Sequence, residues 1–172
     1  MVKSSLWVKL DTLARQITPF GLTMALTLLT VLPLQVPRLG VAGPVWTMMS
    51  VYYWALYRPD LMPAVAVFLI GLMLDALSGT PLGVNALVLL IVHRLVVTQR
   101  RFFYGKPFVI VWLGFGLVTA VAVVAAWLLT SLWHARILDL DVLLFRSILT
   151  LALFPLVFRA LFEWQRLFLK QV

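Results

Sequence analysis

The 172 residues include no cysteine, which excludes disulfides, thiolate metal sites and cysteine nucleophiles. Charge is almost as scarce: 12% of residues are charged, and only six are acidic. The two histidines, His93 and His134, are predicted near opposite membrane faces, and neither belongs to a zinc-ligand spacing. No Gly-x-Ser-x-Gly elbow and no phosphate-cradling glycine loop is present. An intramembrane aspartyl protease needs two facing acids that share a proton. Asp75 with Asp139 or Asp141 is the available combination, and the latter two fall in a predicted loop. The expectation is a chain that is not an enzyme, with no catalytic residue, no metal site and no cofactor.

What is abundant is apolar surface. Hydrophobic residues make up 63% of the chain and mean hydropathy is +1.06, more than a soluble domain of this size can hide. Residues 1–172 therefore read as a single integral membrane domain with little left over for anything outside the bilayer. The net charge of +8 would suggest nucleic acid in a soluble protein. Here the cations flank apolar runs, so topology control and anionic membrane lipid explain them better, and no nucleic-acid partner is expected. Lys3, Lys9 and Arg15 precede the first run without a small-x-small cleavage site. Between them Leu6, Leu10, Leu13, Ala14 and Ile17 recur at helical spacing beside Trp7. Residues 1–17 read either as a cytoplasmic amphipathic segment on the inner leaflet or as the flank of the first span.

Six apolar segments approach the length a membrane crossing needs: about 18–34, 44–57, 61–77, 82–97, 108–133 and 142–162. The second is short and aromatic, with Trp46, Tyr52, Tyr53 and Trp54. Period-two alternation is missing, so the predicted fold is all-α, an integral membrane bundle of six transmembrane helices. With the N-terminus inside, eleven of the fourteen Lys and Arg residues fall on the cytoplasmic side, and Arg38, Arg136 and Arg146 fall opposite. That asymmetry predicts both termini in the cytoplasm. Arg58-Pro59-Asp60 reads as a turn and Ser78-Gly79-Thr80-Pro81 as a helix break that makes a hairpin of the third and fourth spans. Thr98–Lys106, with Arg100-Arg101 and Phe102-Phe103-Tyr104, reads as a basic, aromatic interfacial loop.

Asp75 carries the most information. An acid ending a long apolar run is costly in a bilayer and faces protein or water. Gly71 and Gly79 stand four residues to either side of it and would let a second helix approach closely. Asp75 is read as a structural cap or pair ahead of direct chemistry. Arg146 enters the sixth span at matching depth, and a pair with Asp75, bridged by Asn85, would offset the desolvation of both; snorkelling of Arg146 to the outer headgroups is the equal alternative. Gly79 and Gly83 are expected where the hairpin connection meets another backbone. His93 is read as an interhelical hydrogen-bond group, and Arg159 with Glu163 as an i, i+4 surface pair.

The pattern Tyr53-Trp54, Arg58-Pro59, Gly71-Leu72 and Asp75-x-x-Ser78-Gly79-x-x-Leu82-Gly83-Val84 resembles the rod shape-determining protein MreD family. Its sharp part spans about Tyr52 to Leu87; length and hydropathy extend the resemblance over the whole chain. The resemblance implies a non-enzymatic scaffold subunit of the bacterial cell-wall elongation complex in the inner membrane. Implied partners are MreC, the actin-like MreB, RodA and a penicillin-binding transpeptidase. It also implies a fold like the substrate-binding subunits of energy-coupling-factor transporters. No catalytic residue is carried over; Asp75, Gly79 and Gly83 are carried over as signature positions. Second to the scaffold stands a small-molecule or lipid-intermediate transporter or binding subunit, motivated by the cluster Asp75, Asn85 and Arg146. A membrane protease or lipid transferase ranks third. Self-association is open.

Overall fold

The computed structural model describes residues 18–31, 35–36, 40–41, 43–103, 105–134 and 141–168. The amphipathic segment expected at 1–17 and the acid Asp139 lie outside the described residues. Six helices make up nearly all of the rest: α1 (Thr18–Val31), α2 (Trp46–Tyr57), α3 (Ala64–Ser78), α4 (Val84–Phe103), α5 (Phe108–His134) and α6 (Asp141–Phe168). A two-residue antiparallel ladder, β1 (Gln35–Val36) with β2 (Gly40–Val41), lies between α1 and α2.

The short aromatic segment forms the centre. Ten of the twelve α2 residues are buried, so the helix is enclosed on all sides and needs no amphipathic stripe. At twelve residues it is about 18 Å long, well under a bilayer crossing. It packs on α4 and α6, while α3 lies on α4, α4 on α5, and α5 on α6. Phe115 of α5 and Phe154 of α6 stack at 4.0 Å between centroids beside Tyr52, and Phe158 meets Tyr53 edge-on. Tyr52 donates its hydroxyl to the Val111 carbonyl (2.9 Å) and Tyr53 to Gln165 Oε1 (2.6 Å).

α1 joins this core through hydroxyls. Thr23, Thr27 and Thr30 recur at i, i+4 and i+7, one face of a helix. Thr23 meets Ser50 Oγ at 2.8 Å, Thr47 Oγ1 donates to Thr27 at 3.1 Å, and Thr30 lies 3.0 Å from Thr47 Oγ1. Small hydroxylated side chains let helices approach closely and supply interhelical hydrogen bonds where apolar burial gives no driving force.

Pro155 sits inside α6. A proline removes the hydrogen bond to the carbonyl four residues back, here Leu151. Trp112 Nε1 of α5 donates to that carbonyl at 3.1 Å, so the break is satisfied from outside the helix, as it must be away from water.

α5 and α6 are long and apolar enough to cross a membrane. Their apolar side chains point largely outward: Leu113, Leu117, Leu132, Ile148 and Leu156 are all more than 60% exposed. Helix ends depart from the sequence expectation at α4 and at α6, which runs on to Phe168 where the span was expected to end near 162. The stretch expected as a Thr98–Lys106 loop remains helical through Phe103. Arg100 and Arg101 lie in its last turn, where cations complement the helix dipole. The chain turns at Gly105, φ 77°.

Candidate functional site

α3 ends at Ser78, and Gly79 follows in the left-handed region, φ 67°, the usual C′ conformation. Four residues on, the Gly83 carbonyl accepts the Leu87 N–H at 2.8 Å, which makes Gly83 the N-cap of α4. An N-cap side chain ordinarily accepts from the second or third N–H of its helix. Gly83 has φ 100°, a conformation that favours glycine, so it brings no such oxygen.

Asp75 supplies it from the neighbouring helix. Oδ1 accepts from the backbone N–H of Asn85 (2.9 Å), Asn85 Nδ2 (2.9 Å) and Thr80 Oγ1 (2.9 Å). Oδ2 accepts from the N–H of Gly83 (2.9 Å) and Ala86 (3.3 Å). Asn85 Nδ2 also donates to Thr80 Oγ1 at 3.0 Å. The carboxylate is fully buried, carries five hydrogen bonds and sits on the positive end of the α4 dipole. Its acceptor capacity is filled by the turn it organises.

The same device recurs at α2. Its N-cap, Val45, makes no side-chain cap. Thr30 of α1 accepts the Thr47 N–H at 3.1 Å, and Thr150 of α6 accepts the Val45 N–H at 3.0 Å. One turn before Thr150, Arg146 Nε donates to the Gly43 carbonyl at 2.9 Å. Both α2 and α4 therefore begin on oxygens lent by other helices.

This geometry corrects three expectations. Asp75 and Arg146 form no ion pair: the acid is spent on the α4 start, and Arg146 gives its Nε to the segment before α2. Asn85 belongs to the Asp75 knot and does not bridge to Arg146. Gly79 and Gly83 are not close-approach sites, since a Cβ at either would meet nothing within 4 Å; positive φ is what they supply. The close approach is at Gly71, where a Cβ would stand 2.3 Å from Ala86 Cα. Its spacing to Asp75 was the available signal. The hydroxyl stripe of α1 and the Trp112–Leu151 bond went unread, because threonine and proline in apolar runs carry no partner information by themselves.

Elsewhere, His93 Nε2 lies 2.9 Å from the Met62 carbonyl and bonds the α2–α3 connection to α4. Arg58 and Asp60 pair at 3.2 Å in that connection. Arg159 and Glu163, expected to pair along α6, are both exposed and make no ion pair. Asp141 opens α6 rather than lying in a loop. Among the described residues no three His or acidic side chains converge as a metal site would require.

A bundle with buried polar groups bonded to one another, and with two outward-apolar helices long and apolar enough to cross a membrane, is an all-helical fold of the kind a bilayer accommodates. A family model for the rod shape-determining protein MreD matches residues 13–172; the chain belongs to that family, and rod-shape determination is its role. No curated protein and no solved structure matches the chain.

Proposed function

We propose that the protein is a non-enzymatic, multi-pass scaffold subunit of the bacterial cell-wall elongation complex, seated in the inner membrane with both termini in the cytoplasm. It binds MreC directly and supports peptidoglycan synthesis alongside MreB, RodA and a penicillin-binding transpeptidase. The observation that carries this reading is the family match over residues 13–172, together with an Asp75 carboxylate whose bonds are all committed to a helix start. A group with five hydrogen-bond donors on it is a poor general base.

The chain passes through the bilayer six times as a bundle in which the short α2, enclosed by protein, covers part of the thickness and its flanking segments complete the passage. A likeness to the substrate-binding subunits of energy-coupling-factor transporters belongs to the same proposal. The cavity beside Asn85 and Arg146, the cluster that motivated the transporter reading, measures about 100 Å³, below the ~300–1,000 Å³ typical of small-molecule sites; the larger cavity of about 450 Å³ between α4 and α5 has an almost wholly apolar lining, Gln99 apart.

Affinity purification in mild detergent, with mass identification of companions, tests the assignment. Recovery of MreC in stoichiometric amount is the expected outcome; recovery of a small solute without any elongation protein would replace it with the transporter reading. Single cysteines at Gln99 and Gln171 should resist an impermeant thiol reagent in spheroplasts, and one at Ala135 should react. Labelling at Gln99 from outside would invert the topology.

A further inference from the structure

Beside the Asp75 knot lies the cavity of about 100 Å³, with Asn85, Thr119, Ala122, Arg146, Ser147 and Thr150 among its walls. Nearly every protein donor around it is spent. Thr119, Ser147 and Thr150 donate to the carbonyls of Phe115 (2.8 Å), Leu143 (2.6 Å) and Arg146 (2.6 Å). Both amide hydrogens of Asn85 go to Asp75 and Thr80. Arg146 is the exception. Its Nε is used on Gly43, and its two η-nitrogens have no acceptor among the described residues. No carboxylate there stands within ion-pair distance of it. A largely enclosed cation without a counter-charge is costly.

Val123 and Ala126 of α5 with Leu143 and Ser147 of α6 are partly exposed, so the cavity opens on the side of the two helices that turn their apolar faces outward, as well as beside Val45 and Asn85. Val124 (55% exposed) and Ile148 (68% exposed) flank it. An acyl chain can lie along this apolar flank while its headgroup reaches inward. The geometry points to a lipid-phosphate site: a phospholipid enters between α5 and α6, and its phosphate accepts from the η-nitrogens of Arg146. A guanidinium fork matches two phosphate oxygens, and the volume admits a phosphate-sized group. The site rests on the bilayer placement of α5 and α6 and is independent of the MreC contact.

The test uses the full chain in mild detergent, with thermal midpoint and native mass spectra as readouts. The probes are dihexanoyl phosphatidylglycerol, dihexanoylglycerol without phosphate, and inorganic phosphate. The phospholipid should bind and raise the midpoint; the other two should not. Arg146→Gln should weaken phospholipid binding by about tenfold or more, the scale of a charged hydrogen-bonding partner. Arg146→Lys should retain part of it. If Arg146→Gln fails to fold, Ala126→Leu narrows the mouth with the guanidinium intact and should abolish binding at unchanged helicity. Equal binding of dihexanoylglycerol would reduce the site to an apolar groove, and equal binding of inorganic phosphate would make it a free-ion site. Either result overturns the proposal, as does unchanged binding in the folded variants. Non-additive coupling of Arg146 to Asp139 or Asp141 would give the guanidinium a partner within the chain and also overturn it.

Discussion

Where α2 and α4 begin, the bundle is held by directed hydrogen bonds; where α2 ends and α5 begins, it is held by ring packing. At the first end Asp75, Thr30, Thr150 and Arg146 each reach across to another element's backbone. At the second, Tyr52, Tyr53, Phe115, Phe154 and Phe158 interlock, with two hydroxyls tied off at a carbonyl and an amide. The difference follows from where helix termini lie. Glycine at 83 and valine at 45 leave N–H groups that the bundle must satisfy internally, and an unmet buried donor costs about 1–3 kcal/mol. The phenylalanine rings carry no such obligation, and neighbours can take up part of a lost ring. The polar end should therefore be brittle and the aromatic end compliant.

The largest expected effect is at Asp75. Asp75→Ala orphans three backbone N–H groups together, so a loss of roughly 3 kcal/mol or more is expected, read as a fall in thermal midpoint and folded yield in detergent. Asp75→Asn keeps one carbonyl oxygen and should fall between. A midpoint within a degree of the parent would show that the carboxylate is replaceable by water.

Next come the glycines, one at each end. Gly71→Ala sets a methyl against the Ala86 backbone and should cost about 1–3 kcal/mol. Gly114→Ala at the aromatic end meets the tip of the Phe103 ring at 2.4 Å, a side chain that can rotate away, and should cost clearly less. Equal losses would erase the contrast between brittle and compliant ends. Gly83→Ala meets no atom, and its loss of about 1–2 kcal/mol comes from backbone conformation.

Smaller still is Thr47→Val, which removes a hydroxyl from the α1–α2 seam at nearly constant volume. Bonds of this kind between membrane helices average about 0.6 kcal/mol, so a modest midpoint shift is expected. Tyr53→Phe, which cuts only the bond to Gln165, should be similar or less.

The smallest expected quantity is the coupling between Asp75 and Arg146. They share no hydrogen-bond partner, so a double-mutant cycle in detergent should close within about 0.5 kcal/mol. A larger coupling would mean that the cavity between them transmits strain from one helix start to the other.

The sequence by itself determined the class of this protein. Composition and the length of its apolar runs require helices whose backbone groups are paired internally, and Pro59 and Gly79 mark where the second and third helices stop, whereas the end of the fourth was placed about six residues too early. It also singled out Asp75, because one acid among so many apolar residues is conspicuous on cost alone. Only the tertiary structure decided what Asp75 holds. Depth in the bilayer matched it to Arg146, but depth is one coordinate, and a hydrogen bond depends on three. The turn that gave Gly83 its positive φ created unmet donors beside Asp75, and a carboxylate bonds the nearest donors it is aimed at. Partner choice for Thr30, Thr150 and Trp112 was likewise set by which helix faces which, a relation that spacing along one chain does not encode.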